Sequence, residues 1–244
     1  MNRVNSWSSI RLSVALVAGI SAMASQSSFG AVEGAAFVIV PPALDNPKTA
    51  GSLQTAVLSG GCFWGVQAVF EHVRGVRQVL SGYAGGERST ADYETVSSGK
   101  TNHAESVKIT FDPAEVSYGE LLQIFFSVVH DPTQLNRQGP DAGTQYRSEI
   151  FYADESQEKI AEAYIAQLEK AKLFSRAIET RIDPLKGFYR AEQYHQDFLL
   201  RNPTNPYIVY IDLPKIENLR RLFPNYYRGQ PLTVGYIDSR GRQY

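Results

Sequence analysis

The feature that most constrains this chain is a glycine turn that joins a predicted strand to a predicted helix and carries the only cysteine. Apolar residues over 54–58 predict a short buried strand, which Gly60 and Gly61 end. After Cys62, apolar side chains recur at spacings of three and four residues up to Val73, which predicts one face of a helix. Because a single thiol cannot form an internal disulfide, a packed hydrophobic core has to hold the fold together.

The composition is that of an ordinary globular protein. Hydrophobic residues make up 43% of the 244 residues and charged residues 20%, which excludes a disordered chain. The formal net charge is −1 and no basic block stands out, so we expect no nucleic-acid partner. One cysteine and four scattered histidines offer no zinc-ligand spacing, and we predict neither a metal nor a cofactor.

The first 24 residues have the layout of a secretory signal peptide. Arg3 and Arg11 precede an apolar run over residues 12–20, and residues 22–24 give an Ala-x-Ala cleavage site. The run is too short to span a bilayer comfortably, although an uncleaved anchor and a second cut near residues 30–31 stay open as alternatives. We therefore expect an exported protein, located in the periplasm, with no membrane contact beyond this peptide.

The rest of the chain divides into three parts. Residues 25–53 are rich in Ala, Pro and Gly and are predicted to form a linker or N-terminal arm. Residues 54–210 form the predicted catalytic domain, which we expect to be a monomer. Prolines after residue 202 predict an irregular C-terminal tail, and residues 211–244 are expected to wrap around the domain.

Strands and helices alternate irregularly within the predicted domain. The further predicted strands are Val76–Tyr83, Val107–Phe111, Arg147–Tyr152 and Glu179–Ile182. The further predicted helices run from a Ser117–Glu120 capping box to His130, from Asp154 to Ala171, and from Ala191 to Leu200. This pattern predicts an α+β fold, a single domain with a central mixed β-sheet flanked by helices in a ferredoxin-like two-layer core.

The position of Cys62 suggests chemistry. A helix N-terminus favours negative charge, so we expect the pKa of the thiol to be lowered there. Phe63 and Trp64 would give an aromatic surface beside the sulfur. The alternative is a buried structural cysteine that packs as a small hydrophobe.

The pentad Gly61-Cys62-Phe63-Trp64-Gly65 resembles the signature of the A-type peptide methionine sulfoxide reductases. The resemblance continues over most of the chain, from about residue 54 to residue 205. The other matching segments are residues 82–86, 103–105, 130–132, 141–148, 191–196 and 202–203.

This resemblance implies a set of roles. Cys62 would attack the sulfur of methionine-S-sulfoxide in oxidised proteins and would become a sulfenic acid. Glu105 corresponds to the family's proton donor, and Tyr93 and Tyr146 correspond to two tyrosines that bind the sulfoxide oxygen. Phe63 and Trp64 correspond to the two aromatic residues that hold the methyl group, and Asp141 corresponds to a positioning aspartate.

Structural roles remain open for several of these residues. Glu105 could be the exposed end of a strand, Tyr93 and Tyr146 could be core tyrosines, and Asp141 could only form a turn. Three histidines in the matching segments are predicted to make structural hydrogen bonds. They are His103, His130 and His195.

The chain departs from many family members because it has no second cysteine near its C-terminus, and positions 97 and 98 are serines. A resolving disulfide within the chain is therefore impossible. We expect an external thiol to reduce the sulfenic acid: glutathione, glutaredoxin or a thioredoxin-like protein.

Two other functions compete with reduction. The first is a hydrolase or acyltransferase with Cys62 as nucleophile, His195 as base and Asp141 as orienting group. The second is a secreted binding module whose aromatic surface holds methylated ligands.

Overall fold

A computed structural model describes Met1 and residues 36–234 of the protein. The predicted signal peptide, the first part of the predicted arm and the last ten residues of the predicted tail lie outside the described residues. None of the helices within the described part is long and apolar enough to cross a membrane.

The centre of the fold is a six-stranded mixed sheet in the order β7-β6-β1-β3-β2-β8. Neighbouring strands are antiparallel except β6 and β7, which are parallel. The strands are β1 Gln54–Gly60, β2 Val76–Ala84, β3 Ala104–Phe111, β6 Ser148–Tyr152, β7 Arg181–Pro184 and β8 Phe188–Arg190, and a separate small hairpin pairs β4 Arg137–Gln138 with β5 Asp141–Ala142. The prediction of a mixed sheet with flanking helices is confirmed.

The helices pack against this sheet and enclose its main core. They are α1 Phe63–Glu71, α2 Tyr93–Ser97, α3 Tyr118–Ile124, α4 Glu155–Ala171, α5 Phe198–Arg201 and α6 Leu213–Leu222. The predicted capping box is present, because Ser117 accepts from the amide of Glu120 while the Glu120 carboxylate accepts from the amide of Ser117. A π-helical segment, Phe125–Val129, extends α3 toward His130.

Residues 36–53 run over the surface without regular structure and are anchored by hydrogen bonds to α3 and α4 and their surroundings. The amide of Ile39 donates to the Ser127 hydroxyl, at 3.1 Å. The Gln123 side chain donates to the carbonyl of Ile39, and Tyr164 donates to the carbonyl of Val40. This part of the predicted arm therefore belongs to the folded domain.

The predicted helix from Ala191 to Leu200 is wrong. The chain instead forms a 3-10 turn at Gln193–His195, an extended Gln196, a left-handed Asp197 and then α5. The cause is tertiary, because the buried side-chain amide of Gln196 accepts from the backbone N–H of Ser81 and donates to the backbone carbonyl of Ser81. The Gln196 side chain thus pairs with the backbone of β2 just beyond the residues that pair with β8. These buried hydrogen bonds outweigh the local helical pattern.

The prediction of an irregular C-terminal tail is also wrong over residues 208–222. A π-helical segment, Ile208–Asp212, leads directly into α6. Pro214 lies in the first turn of α6, where a residue needs no N–H to satisfy the helix, so it does not break the helix. Residues beyond α6 return to α1, where the amide of Leu232 donates to the carbonyl of Glu71.

Candidate active site

Local backbone geometry places Cys62 at the start of α1. Gly61, directly after β1, has φ +94°, a conformation that favours glycine. A Cβ on Gly61 would also lie 2.7 Å from Cβ and Cγ of Gln138, so the turn has no room for a side chain. Cys62 is then the N-cap of α1, as the glycine turn predicts.

The environment of the thiol differs from the prediction. Cys62 is 8% exposed, and burial raises its pKa well above its ordinary value, with the carboxyl groups of Glu105 and Asp212 adding to the shift. The amide of Trp64 and the ammonium of Lys215 act in the opposite direction. The expectation of a lowered pKa is therefore wrong for the resting site, because desolvation outweighs the helix N-terminus. Cys62 rests as a neutral thiol.

Glu105 lies on β3, opposite Tyr83 of β2, and is 3% exposed. Its Oε2 accepts a hydrogen bond of 3.0 Å from the amide of Phe63, the residue after Cys62. Burial raises the pKa of Glu105 to about 8, the Phe63 amide lowers it, and the charge of Asp141 raises it. At neutral pH this carboxyl is mostly protonated, so it can donate a proton beside the thiol. It is not the exposed end of a strand.

Two tyrosines face the same site from different elements. Tyr93 begins α2, and its amide donates to Glu192, which also accepts from the Tyr83 hydroxyl. Tyr146 ends the 3-10 turn Thr144–Tyr146. The pKa of each phenol is raised by burial first and then by Glu105, with Cys62 and Asp141 contributing. Both hydroxyls therefore remain protonated donors that lie close to the thiol and the acid.

An aromatic group forms one wall of the site. The Trp64 ring stacks on Phe198, with centroids 3.7 Å apart and planes at 10°, and meets Tyr207 edge-on at 6.0 Å. Trp64 Nε1 donates to His195 Nδ1 at 3.1 Å. Phe63 is 1% exposed, whereas Trp64 is half-buried, so Trp64 is the more accessible of the two aromatic side chains.

Sequence reasoning missed three residues of the site. The Tyr207 hydroxyl donates to Asp141 Oδ2, and burial raises the pKa of Tyr207, with Cys62 and Asp141 adding to the shift. Asp212 and Lys215 form an ion pair that acts on the thiol from the segment predicted to be an irregular tail. An aspartate and a lysine three residues apart favour a helix, but the nearby prolines favour irregular structure. The sequence alone therefore does not predict this helix.

The arrangement of a Cys-His-Asp hydrolase is not found among the described residues. Nδ1 of His195 accepts from Trp64 instead of donating to a carboxylate, and Asp141 accepts from Tyr207. Burial lowers the pKa of His195 to about 4, so the ring is neutral.

His103 and His130 have the predicted structural roles, since they contact the carbonyls of Glu87 and Phe125. Within residues 36–234, no three His, Cys, Asp or Glu side chains lie together in a way that could hold a metal ion.

Comparisons with known proteins all indicate one family. The family model for peptide methionine sulfoxide reductase matches residues 54–226. The peptide methionine sulfoxide reductase MsrA 2 of Mesorhizobium japonicum is 59% identical over 187 residues, which cover 77% of this chain and 96% of that protein. The protein of the same name from Synechocystis is 53% identical over 196 residues, covering 79% of this chain and 92% of that protein.

Solved structures give the same result. Methionine sulfoxide reductase A of Corynebacterium diphtheriae has a TM-score of 0.55 and 35% identity, and the match covers 66% of this chain and 80% of that one. Reduced Mxr1 of Saccharomyces cerevisiae has a TM-score of 0.56 and 32% identity, and the match covers 65% of this chain and 94% of that one.

Proposed function

The chain belongs to the peptide methionine sulfoxide reductase family, and from that premise we propose how its site reduces methionine-S-sulfoxide in oxidised proteins. The observation that carries the mechanism is a neutral carboxylic acid, Glu105, held by the amide that follows Cys62. This hydrogen bond thereby holds the proton donor beside the turn that carries the nucleophile.

The first step forms a bond between sulfur atoms. Cys62 attacks the sulfoxide sulfur while Glu105 gives its proton to the sulfoxide oxygen, and the resulting Glu105 carboxylate takes up the proton that the thiol loses. Tyr93 and Tyr146 donate hydrogen bonds to that oxygen, and the rings of Phe63 and Trp64 hold the methyl group. The oxygen then passes to the cysteine sulfur, so methionine is reduced by two electrons and Cys62 is oxidised to a sulfenic acid.

The second step regenerates the thiol. The sequence holds one cysteine, so two external thiols are required, and they leave as a disulfide while the sulfenic oxygen leaves as water. Glutathione, glutaredoxin and thioredoxin-like proteins have this chemistry. After one turnover without reductant, dimedone should label Cys62 stoichiometrically. Recovery of an unmodified thiol together with methionine product would rule out this step.

The test of the overall function uses the chain without residues 1–24, a methionine sulfoxide peptide and dithiothreitol. We expect the S epimer to disappear and the R epimer to remain. Cys62→Ser should abolish the reaction because no other thiol is present. Turnover by the Cys62→Ser protein, or loss of both epimers at equal rates, would contradict the proposal.

Export and the finer architecture are further parts of this proposal. The signal-peptide pattern supports cleavage after Ala24 and a location in the periplasm, which the mass of the protein recovered from periplasm would test. The monomeric state is a separate part of the proposal, and size-exclusion chromatography of the mature protein would test it. A ferredoxin-like core is supported by the adjacent order β6-β1-β3-β2, with α1 between β1 and β2 and α3 between β3 and β6. The residues from 223 to 234 support a tail that wraps around α1, as the antiparallel bridge between Tyr227 and Val73 illustrates.

A further inference from the structure

A buried ion pair lies on the first turn of α1, next to the reactive cysteine. Asp212 is fully buried, and its Oδ1 accepts from Lys215 Nζ at 3.1 Å. A Cβ on Gly65 would lie 2.0 Å from Asp212 Oδ1 and 3.0 Å from Lys215 Nζ. The ion pair can therefore occupy this position only because Gly65 has no side chain.

The position of Gly65 brings this pair close to the thiol. Cys62 is the N-cap of α1, and Gly65 is the third residue of the helix. The Cys62 side chain makes no capping hydrogen bond, but the amide of Trp64, the residue before Gly65, acts on the thiol and lowers its pKa. The ammonium of Lys215, which lies next to Gly65, is therefore within one helical turn of the thiol.

Stability gives no reason to keep such a pair. Oδ2 of Asp212 is buried without a hydrogen-bond partner among the described residues, and the Lys215 side chain is only 15% exposed. Removing two charges from water costs about as much as their attraction returns, and apolar replacements are often neutral or better. A role in the reaction therefore explains the presence of this ion pair better than a contribution to stability does.

The charge around the thiol shows what that role is. The groups that face Cys62 are the carboxyls of Glu105 and Asp212, the ammonium of Lys215, and the phenols of Tyr93, Tyr146 and Tyr207. Among these, only Lys215 carries a positive charge. Asp212 raises the pKa of Cys62 more than Lys215 lowers it, so within this pair a thiolate gains from the lysine alone.

We propose that Lys215, held by Asp212 against the first turn of α1, supplies the positive charge that stabilises the Cys62 thiolate as it attacks the sulfoxide. Lys215 acts through its charge, and Asp212 is a positioning residue. The inference rests on the proposed reductase mechanism, which it deepens.

The test titrates the single thiol by its rate of alkylation with iodoacetamide as a function of pH, without substrate. The Lys215→Met protein should show a higher apparent pKa for Cys62 than the parent protein, because the ammonium of Lys215 lowers that pKa. Lys215→Arg should restore the parent profile. Lys170→Met, which removes an exposed lysine of α4, is the matched control.

A second comparison avoids leaving a buried carboxylate unpaired. In an Asp212→Asn background, adding Lys215→Met should still raise the apparent pKa of Cys62. Under saturating sulfoxide peptide, kcat should fall with little change in KM, by about tenfold for each unit by which the measured pKa of Cys62 rises, since each pKa unit corresponds to a factor of ten in thiolate. Near-UV circular dichroism verifies that each variant is folded.

Coincident alkylation profiles for folded Asp212→Asn and Asp212→Asn/Lys215→Met proteins would overturn the inference. Failure of Lys215→Arg to restore the profile of Lys215→Met would overturn it as well, because charge would not be the cause. Alkylation needs no reductase activity, so these results are independent of the proposed function. Cys62→Ser tests that function separately.

Discussion

Replacing Glu105 by Gln should make the protein more stable and much less active. The pKa of this carboxyl rises from 4.5 to about 8 on folding, chiefly because of burial. A raised folded-state pKa means that the stability contributed by the neutral acid is complete below pH 4.5 and is lost as the pH rises through 8. Gln keeps an oxygen that can accept from the amide of Phe63 and carries no charge at any pH.

The size of the effect follows from the shift. At pH 7, which lies about 2.5 units above the unfolded-state pKa of 4.5, keeping this carboxyl protonated in the folded state costs the parent protein about 3 kcal/mol at 1.36 kcal/mol per unit. Glu105→Gln should remove that cost, whereas below pH 4.5 the two proteins should be equally stable. Loss of the proton donor should lower kcat by at least about 100-fold.

The assay is urea unfolding of the two proteins at several values between pH 4 and 8, with kcat measured in parallel. Glu169→Gln, at an exposed position of α4, is the matched control, and it should change stability by less than about 0.5 kcal/mol at every pH. A difference between parent and Glu105→Gln that stays constant from pH 5 to 8 would refute the reasoning, because it would show that Glu105 does not hold its proton in the folded state.

Two further substitutions test the packing of the site. Gly65→Ala places a Cβ 2.0 Å from an oxygen of Asp212, so it should lower the unfolding free energy by about 1–3 kcal/mol; Gly51→Ala, where a Cβ meets nothing within 4 Å, should not, and equal urea midpoints would contradict the expected clash. Tyr207→Phe removes the hydroxyl that donates to the pocket aspartate and should reduce kcat/KM about tenfold, since a hydrogen bond to a charged group contributes about 1.5–3 kcal/mol. Tyr210→Phe, at a tyrosine that is 77% exposed, should behave as the parent protein, and equal kcat/KM values for the two phenylalanine variants would exclude a role for the hydroxyl.

Much of the fold follows from local sequence signals. The glycine turn before Cys62, the capping box at Ser117 and the cap at Asp154 are set by residues within a few positions of each other. The helix predicted over residues 191–200 failed because Gln196 pairs with a strand more than one hundred residues earlier. The prediction of an irregular tail failed because Pro214 lies in the first turn of α6, where a proline is compatible with a helix.

The sequence by itself determined which groups the site contains: one thiol, an acid, two tyrosines and an aromatic pair, on motifs that are short and local. The tertiary structure decided how these groups titrate and what else reaches them. Burial, which no residue type encodes alone, raises the pKa of Cys62 and of Glu105. The ammonium of Lys215 and the hydroxyl of Tyr207 come from chain segments about 150 residues beyond the cysteine. Charge and desolvation act through space, so their balance at a thiol is fixed only when distant segments pack together.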